Sequence, residues 1–167
     1  IKKGIPAGFG MGSSAGSAAA TAVAFGKLFK IKLNSNQLVE FAGFGEKASA
    51  GTIHYDNVAS SVLGGFVIVK TNPLNVISID PPTNLRMCVA VPKIDVPKKK
   101  TKVSRGVIPK KVKLVDAVLN LSNASAIVAG FMKKDPELIG NSIQDVIVEP
   151  ARQHMICLLY TSDAADE

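Results

Sequence analysis

Tryptophan is absent from this chain, and only 5% of its 167 residues are aromatic. A platform that stacks unpaired bases needs aromatic faces, so a nucleic-acid partner is not expected. The two cysteines, Cys88 and Cys157, supply neither a disulfide framework nor a paired-cysteine metal spacing. A reducing, cytoplasmic setting is the expectation for such a chain. No uninterrupted apolar run reaches the roughly 18 residues that span a bilayer, so no membrane partner is expected either. The opening Ile1-Lys2-Lys3-Gly4-Ile5 has neither an initiating Met nor a signal-peptide core.

What is present is a globular composition, 47% hydrophobic and 20% charged, which excludes disorder. The net charge is +7, and nine of the 20 basic residues lie between Lys93 and Lys113, with Asp95 the only acid among them. A solvated loop and a field that attracts nucleotide phosphates both fit this stretch. Nucleic-acid binding ranks third, because no aromatics are interleaved with the charges.

The most informative segment is Pro6-Ala7-Gly8-Phe9-Gly10-Met11-Gly12-Ser13-Ser14, which runs into Ala15-Gly16-Ser17-Ala18-Ala19-Ala20. Alternate glycines allow positive φ and let backbone N–H groups approach a ligand. A helix starting at the serines adds its unpaired N–H groups and the positive end of its dipole. The pattern predicts a phosphate cradle. It is not a Walker loop, since no lysine follows the glycines before Lys27. Nor does the spacing match a G-x-G-x-x-G dinucleotide fingerprint. The string resembles the P-x-x-x-G-L-G-S-S-A motif of the GHMP small-molecule kinases, with Met11 in place of the leucine.

Hydrophobic patterning predicts an α+β chain. Ile1–Ile5 is expected to end a strand, Ser13–Phe29 to form a helix, and Asn34 or Ser35 to cap a second helix reaching Ala48. Strands are expected over Gly64–Val69, Val76–Ile79 and Arg86–Val91, and helices over Lys113–Lys133 and Pro136–Val146. A domain boundary is placed at the Pro-rich turn, giving units 1–82 and 83–156. Residues 157–167, CLLYTSDAADE, shift abruptly to small acidic residues and resemble the translation of a sequencing adapter. They are expected to be non-native, and the rest to be an internal fragment.

Three further segments narrow the resemblance to the homoserine kinase branch. His54-Tyr55-Asp56-Asn57-Val58-Ala59 with Gly64-Gly65-Phe66 is similar to its H-A-D-N-V-A-P…G-G-F segment, departing at Tyr55 and Ser60. Thr101-Lys102-Val103-Ser104-Arg105 and Val146-Ile147-Val148-Glu149-Pro150-Ala151-Arg152 resemble its T-K-x-A-R and V-I-V-E-P-x-R stretches.

The resemblance implies a truncated two-domain GHMP fold. Its phosphate loop would lie between strand and helix, and a ferredoxin-like C-terminal domain would begin after it. It implies ATP held by Pro6, Gly8, Gly10, Gly12, Ser13 and Ser14, and Mg²⁺ held by Ser14 and Glu46. It implies L-homoserine as the small-molecule partner, faced by His54, Asn57, Thr101 and Arg105, and leaves a homodimer open. Asn57, Thr101 and Arg105 would be the catalytic set, with Asn57 orienting the acceptor hydroxyl and Asp56 structural. The runner-up readings are a shikimate or mevalonate-pathway GHMP kinase and an ATP-binding module without catalysis.

Overall fold

The computed structural model describes residues 2–6, 10–89 and 106–153. The chain divides after Pro81 into two compact units.

In the first unit the order is α1 (Ser13–Leu28), α2 (Ser35–Ala50), α3 (Tyr55–Leu63), β1 (Phe66–Thr71) and β2 (Leu74–Ile79). Helix α1 buries Ala15 and Ala19, four residues apart on one face. Its small side chains let α2 come close: a Cβ on Gly45 would lie 3.4 Å from the Cβ of Ala18. A capping box starts α2, with Asn34 Oδ1 accepting from Gln37 N at 2.9 Å and Gln37 Oε1 accepting from Asn34 N at 3.0 Å. Gly51, left-handed at φ 78°, ends it. The core gathers Ala15, Val39, Ala42, Val58 and Ala59, with Val67, Val69, Leu74 and Val76 of the hairpin packed against it. The two strands pair antiparallel from Phe66↔Ile79 to Thr71↔Leu74, and Val76 N donates to Asn36 Oδ1 of α2 at 3.0 Å.

Three expectations change here. Residues 2–5 form no strand: the Ile5 carbonyl accepts from Ser13 Oγ at 3.0 Å instead of from a neighbouring strand. Helix α3 is not among the elements expected from sequence; it places Asp56 in its first turn and buries Val58 and Ala59. The strand expected from Gly64 begins at Phe66, because Gly64 and Gly65 both take positive φ, and it is half-buried because only one face of the hairpin is covered.

The described part of the second unit contains α4 (Leu114–Lys133), α5 (Pro136–Ser142) and α6 (Val148–Arg152). Phe131, Ile139 and Ser142 are buried. Gly130 makes the α4–α5 approach possible, since a Cβ there would lie 2.8 Å from Ile139 Cγ1. Asp135 Oδ1 caps α5 by accepting from Leu138 N at 3.0 Å, with Pro136 in the first turn. The helix expected to reach Val146 stops at Ser142 because Asp145 draws the next turn onto itself. Its Oδ1 accepts from Ile147 N and Val148 N at 2.9 Å each, and from Asn120 Nδ2 of α4 at 2.8 Å. Asn120 Oδ1 accepts from Val146 N at 3.0 Å, and Asn123 Nδ2 donates to the Gln144 carbonyl at 3.1 Å. Burial works to raise the Asp145 carboxyl, but the donors from Val148, Asn120, Ile147 and Glu149 outweigh it and hold the group below its ordinary value.

Residues 86–89 form no strand; Met87 and Val89 are exposed, and the Arg86 guanidinium bonds the Thr83 and Leu85 carbonyls of a turn. Residues 90 and 91 lie outside the described residues. Helix α4 is, by length and composition alone, long and apolar enough to cross a membrane, a feature that a search for uninterrupted apolar runs passes over. The run is broken by Asp116, Asn120 and Asn123, and the two asparagines bond the 144–146 backbone.

Candidate functional site

Gly10 and Gly12 both adopt left-handed backbone, φ 73° and 71°, and Gly12 is the N-cap of α1. Every other residue type is strained in that conformation. A methyl group on Gly12 would also lie 3.6 Å from Cβ, Cγ and Oδ1 of Asn57, so the loop passes directly over that side chain. Among the described residues no side chain caps α1, so its first N–H groups are candidates to meet a ligand or water. Ser13 Oγ donates to the Ile5 carbonyl at 3.0 Å and ties the start of the helix to the incoming chain.

Ser14 points toward α2. Its hydroxyl donates to Glu46 Oε1 at 3.4 Å, the long end of a hydrogen bond. Glu46 is 1% exposed, and a carboxylate removed from water must be paid for by partners. Besides Ser14, the backbone N–H of His54 donates to Oε2 at 3.0 Å and His54 Nδ1 lies 3.2 Å from Oε1. The other ring nitrogen, Nε2, lies 3.2 Å from Thr52 Oγ1. Helix α2 can present Glu46 to this turn because Gly43 has no side chain; a Cβ there would sit 3.0 Å from Ile53 Cγ2 and Tyr55 Cε1.

The site expected from sequence is thus gathered in part. Gly10, Gly12, Ser13, Ser14, Glu46, His54 and Asn57 come together within the first unit, and Pro6 lies exposed just before the loop. Gly8, Thr101 and Arg105 lie outside the described residues, as do residues 93–105 of the basic segment. Asp56 is exposed in the first turn of α3, where a negative charge favours the helix dipole. Thr52 was not among the expected residues; a Thr-x-His spacing on a turn carries no signal until the fold brings its ring partner round.

Ser14 and Glu46 offer two hard oxygen donors. Among the described residues, no three His, Cys, Asp or Glu side chains gather into a metal cluster. That donor set fits an ion that takes one or two protein oxygens and fills the rest with phosphate and water. A groove of about 660 Å³ runs from Ser14 past Phe25, Ile31 and Phe41 between α1 and α2. Its hydroxyls at Ser17 and Thr21 donate to the Ser13 and Ser17 carbonyls of the helix, so they are already engaged.

Residues 1–65 match the family model of the GHMP kinases N terminal domain. Homoserine kinase of Chlorobaculum tepidum is 40% identical over 157 residues, covering 93% of this chain and 48% of that protein. Homoserine kinase of Methanocella arvoryzae is 41% identical over 156 residues, covering 93% and 50%. The crystal structure of homoserine kinase from Cytophaga hutchinsonii superposes with a TM-score of 0.75 at 39% identity, covering 91% of this chain and 48% of that one. The chain spans about half the length of the curated relatives it matches.

Proposed function

We propose that this chain, whose residues 1–65 match the GHMP kinases N terminal domain, supplies the phosphate loop and metal pair of a homoserine kinase. That enzyme transfers the γ-phosphoryl of ATP to the side-chain hydroxyl of L-homoserine, in the service of threonine biosynthesis. The observation that carries this reading is the meeting of Ser14 with the buried Glu46 carboxylate at the N-terminus of α1, directly beside Asn57 under Gly12.

The backbone of Gly8, Gly10 and Gly12 and the first N–H groups of α1 at Ser13 and Ser14 hold the ATP phosphates, with Pro6 leading into the loop. Ser14 and Glu46 hold Mg²⁺, which when bound neutralises phosphate charge. Asn57 orients the acceptor hydroxyl, and what supports it over Asp56 is its contact with the loop. The resemblance adds Thr101 and Arg105 as substrate contacts, a guanidinium matching a carboxylate bidentately. His54 belongs on the acceptor side as well, but its ring nitrogens are engaged by Glu46 and Thr52, so it meets substrate through ring carbons. Proton transfer needs no carboxylate base in this arrangement; the transition state is loose and alignment dominates.

The test is a phosphotransfer assay on the longest reading frame containing this chain, with homoserine, threonine, shikimate and mevalonate as acceptors. Homoserine is expected to be the preferred substrate. Preference for shikimate or mevalonate moves the protein to another GHMP branch, and ATP binding without transfer to any acceptor makes it a binding module. In the same frame Asn57→Ala should lower kcat by on the order of 100-fold, with Asp56→Asn close to unaltered. The reverse pattern makes Asp56 the base.

A further inference from the structure

Thr52 is two residues from His54 on the turn that follows α2, beyond the left-handed Gly51. Its Oγ1 lies 3.2 Å from His54 Nε2, and the opposite ring nitrogen lies 3.2 Å from Glu46 Oε1. A carboxylate accepts and does not donate, so His54 Nδ1 must carry hydrogen to make that contact. A neutral imidazole with hydrogen on Nδ1 has a bare Nε2, which is an acceptor, and the Thr52 hydroxyl is then the donor. The opposite tautomer would turn a lone pair toward Glu46 Oε1 and lose the contact. In the neutral imidazole the order of donation therefore runs Thr52 to His54 to Glu46, with the His54 backbone N–H on the second carboxylate oxygen at 3.0 Å.

We propose that Thr52 is a positioning residue: by donating to His54 Nε2 it fixes the imidazole tautomer that clamps Glu46 beside Ser14. The inference rests on the reading of Ser14 and Glu46 as a metal pair, and it gives His54 a task distinct from substrate contact. Partners of this outer kind orient a ligand and raise its basicity, and their loss costs roughly 10–100-fold in metal affinity.

The chain has two histidines, His54 and His154, so its imidazole spectrum is simple to assign with a His154→Gln variant. On ¹⁵N-histidine-labelled chain at pH about 8.5, where an imidazole is ordinarily neutral, long-range ¹H–¹⁵N correlations should show His54 with hydrogen on Nδ1. Thr52→Val should move it toward hydrogen on Nε2, and Thr52→Ser should restore it. Mn²⁺ titration followed by electron paramagnetic resonance, with a non-hydrolysable ATP analogue present, should show affinity reduced by roughly 10-fold in Thr52→Val and regained in Thr52→Ser. Hydrogen on Nε2 in the unaltered chain overturns the inference. So does Mn²⁺ affinity equal in Thr52→Val and unaltered chain, an outcome that leaves the metal pair standing. No Mn²⁺ binding by the unaltered chain overturns the metal pair and the inference together.

Discussion

Among the described residues, Glu46 of the first unit and Asp145 of the second each gather several polar contacts, and the two are held in opposite ways. Glu46 in the first unit is 1% exposed and is approached by the Ser14 hydroxyl and the His54 imidazole as well as the His54 backbone N–H. Asp145 in the second is half-buried and serves mainly the backbone that follows it, at Ile147 and Val148. Backbone donors fix a turn and cannot be exchanged without unfolding it. Side-chain donors can swing aside for an ion or a phosphate. A buried carboxylate met by such groups at an uncapped helix N-terminus points to chemistry, whereas one that closes a turn points to architecture.

The sharpest test of that contrast is removal of each carboxylate. Glu46→Ala in the intact reading frame should reduce Mn²⁺ affinity and phosphotransfer by on the order of 100-fold or more, since even outer partners of a ligand cost about 10–100-fold. Asp145→Asn should leave both close to unaltered. Equal losses in titration and kinetic assays would erase the distinction.

Packing offers a smaller break. Gly130→Ala puts a methyl 2.8 Å from Ile139 Cγ1 and 3.1 Å from the Ile139 backbone nitrogen, so the α4–α5 contact should lose about 1–3 kcal/mol in denaturant titration. Gly43→Ala meets only the side chains of Ile53 and Tyr55 at 3.0 Å, which can yield, so its cost should fall at or below about 1 kcal/mol. Its effect should show instead as a shifted His54 imidazole, because the turn it displaces is the one that clamps Glu46. A larger loss from Gly43→Ala would mean the first unit is the more tightly packed of the two.

Much of the first unit was legible because its signals are local. The serine start of α1 and the Asn34 cap act within a few residues and appear where expected, while α2 runs two residues past Ala48, to Ala50, before Gly51 ends it. Helix α3 was hidden because Asp56-Asn57-Val58-Ala59-Ser60-Ser61 is short and half polar, and its helicity depends on burying Val58 and Ala59 against α1 and α2. The strand expected at Ile1–Ile5 failed for the converse reason: a β-pattern alone makes no ladder without a partner, and Ser13 takes the Ile5 carbonyl. At the site, Ser14, Glu46 and Asn57 were readable as residue types in a motif. Thr52 was not, since its role depends on a ring nitrogen delivered by a turn. In the second unit Asp145 ended a helix that hydrophobic periodicity would have carried to Val146, because a side-chain acceptor competes with the helical ladder.

The mildest perturbation is acid, and it should act on one unit's carboxylate through the backbone. Asp145 is held below its ordinary value of 3.8 in the folded chain. A depressed carboxyl contributes stability that is fully present above the unfolded value and is lost as pH falls through the folded one. Protection of the Ile147 and Val148 amides, corrected for intrinsic exchange, should therefore be flat above pH about 5 and decline below pH about 4. Asn120→Ala removes both the donor to Asp145 and the acceptor of Val146 N, so it should weaken the same amides at all pH values and move their decline upward. Asp145→Asn should abolish the pH dependence, because Asp145 Oδ1 is the acceptor that both amides meet. Persistence of the decline in that variant would assign the acid sensitivity to another carboxylate and end the reading of Asp145 as the hinge of this turn.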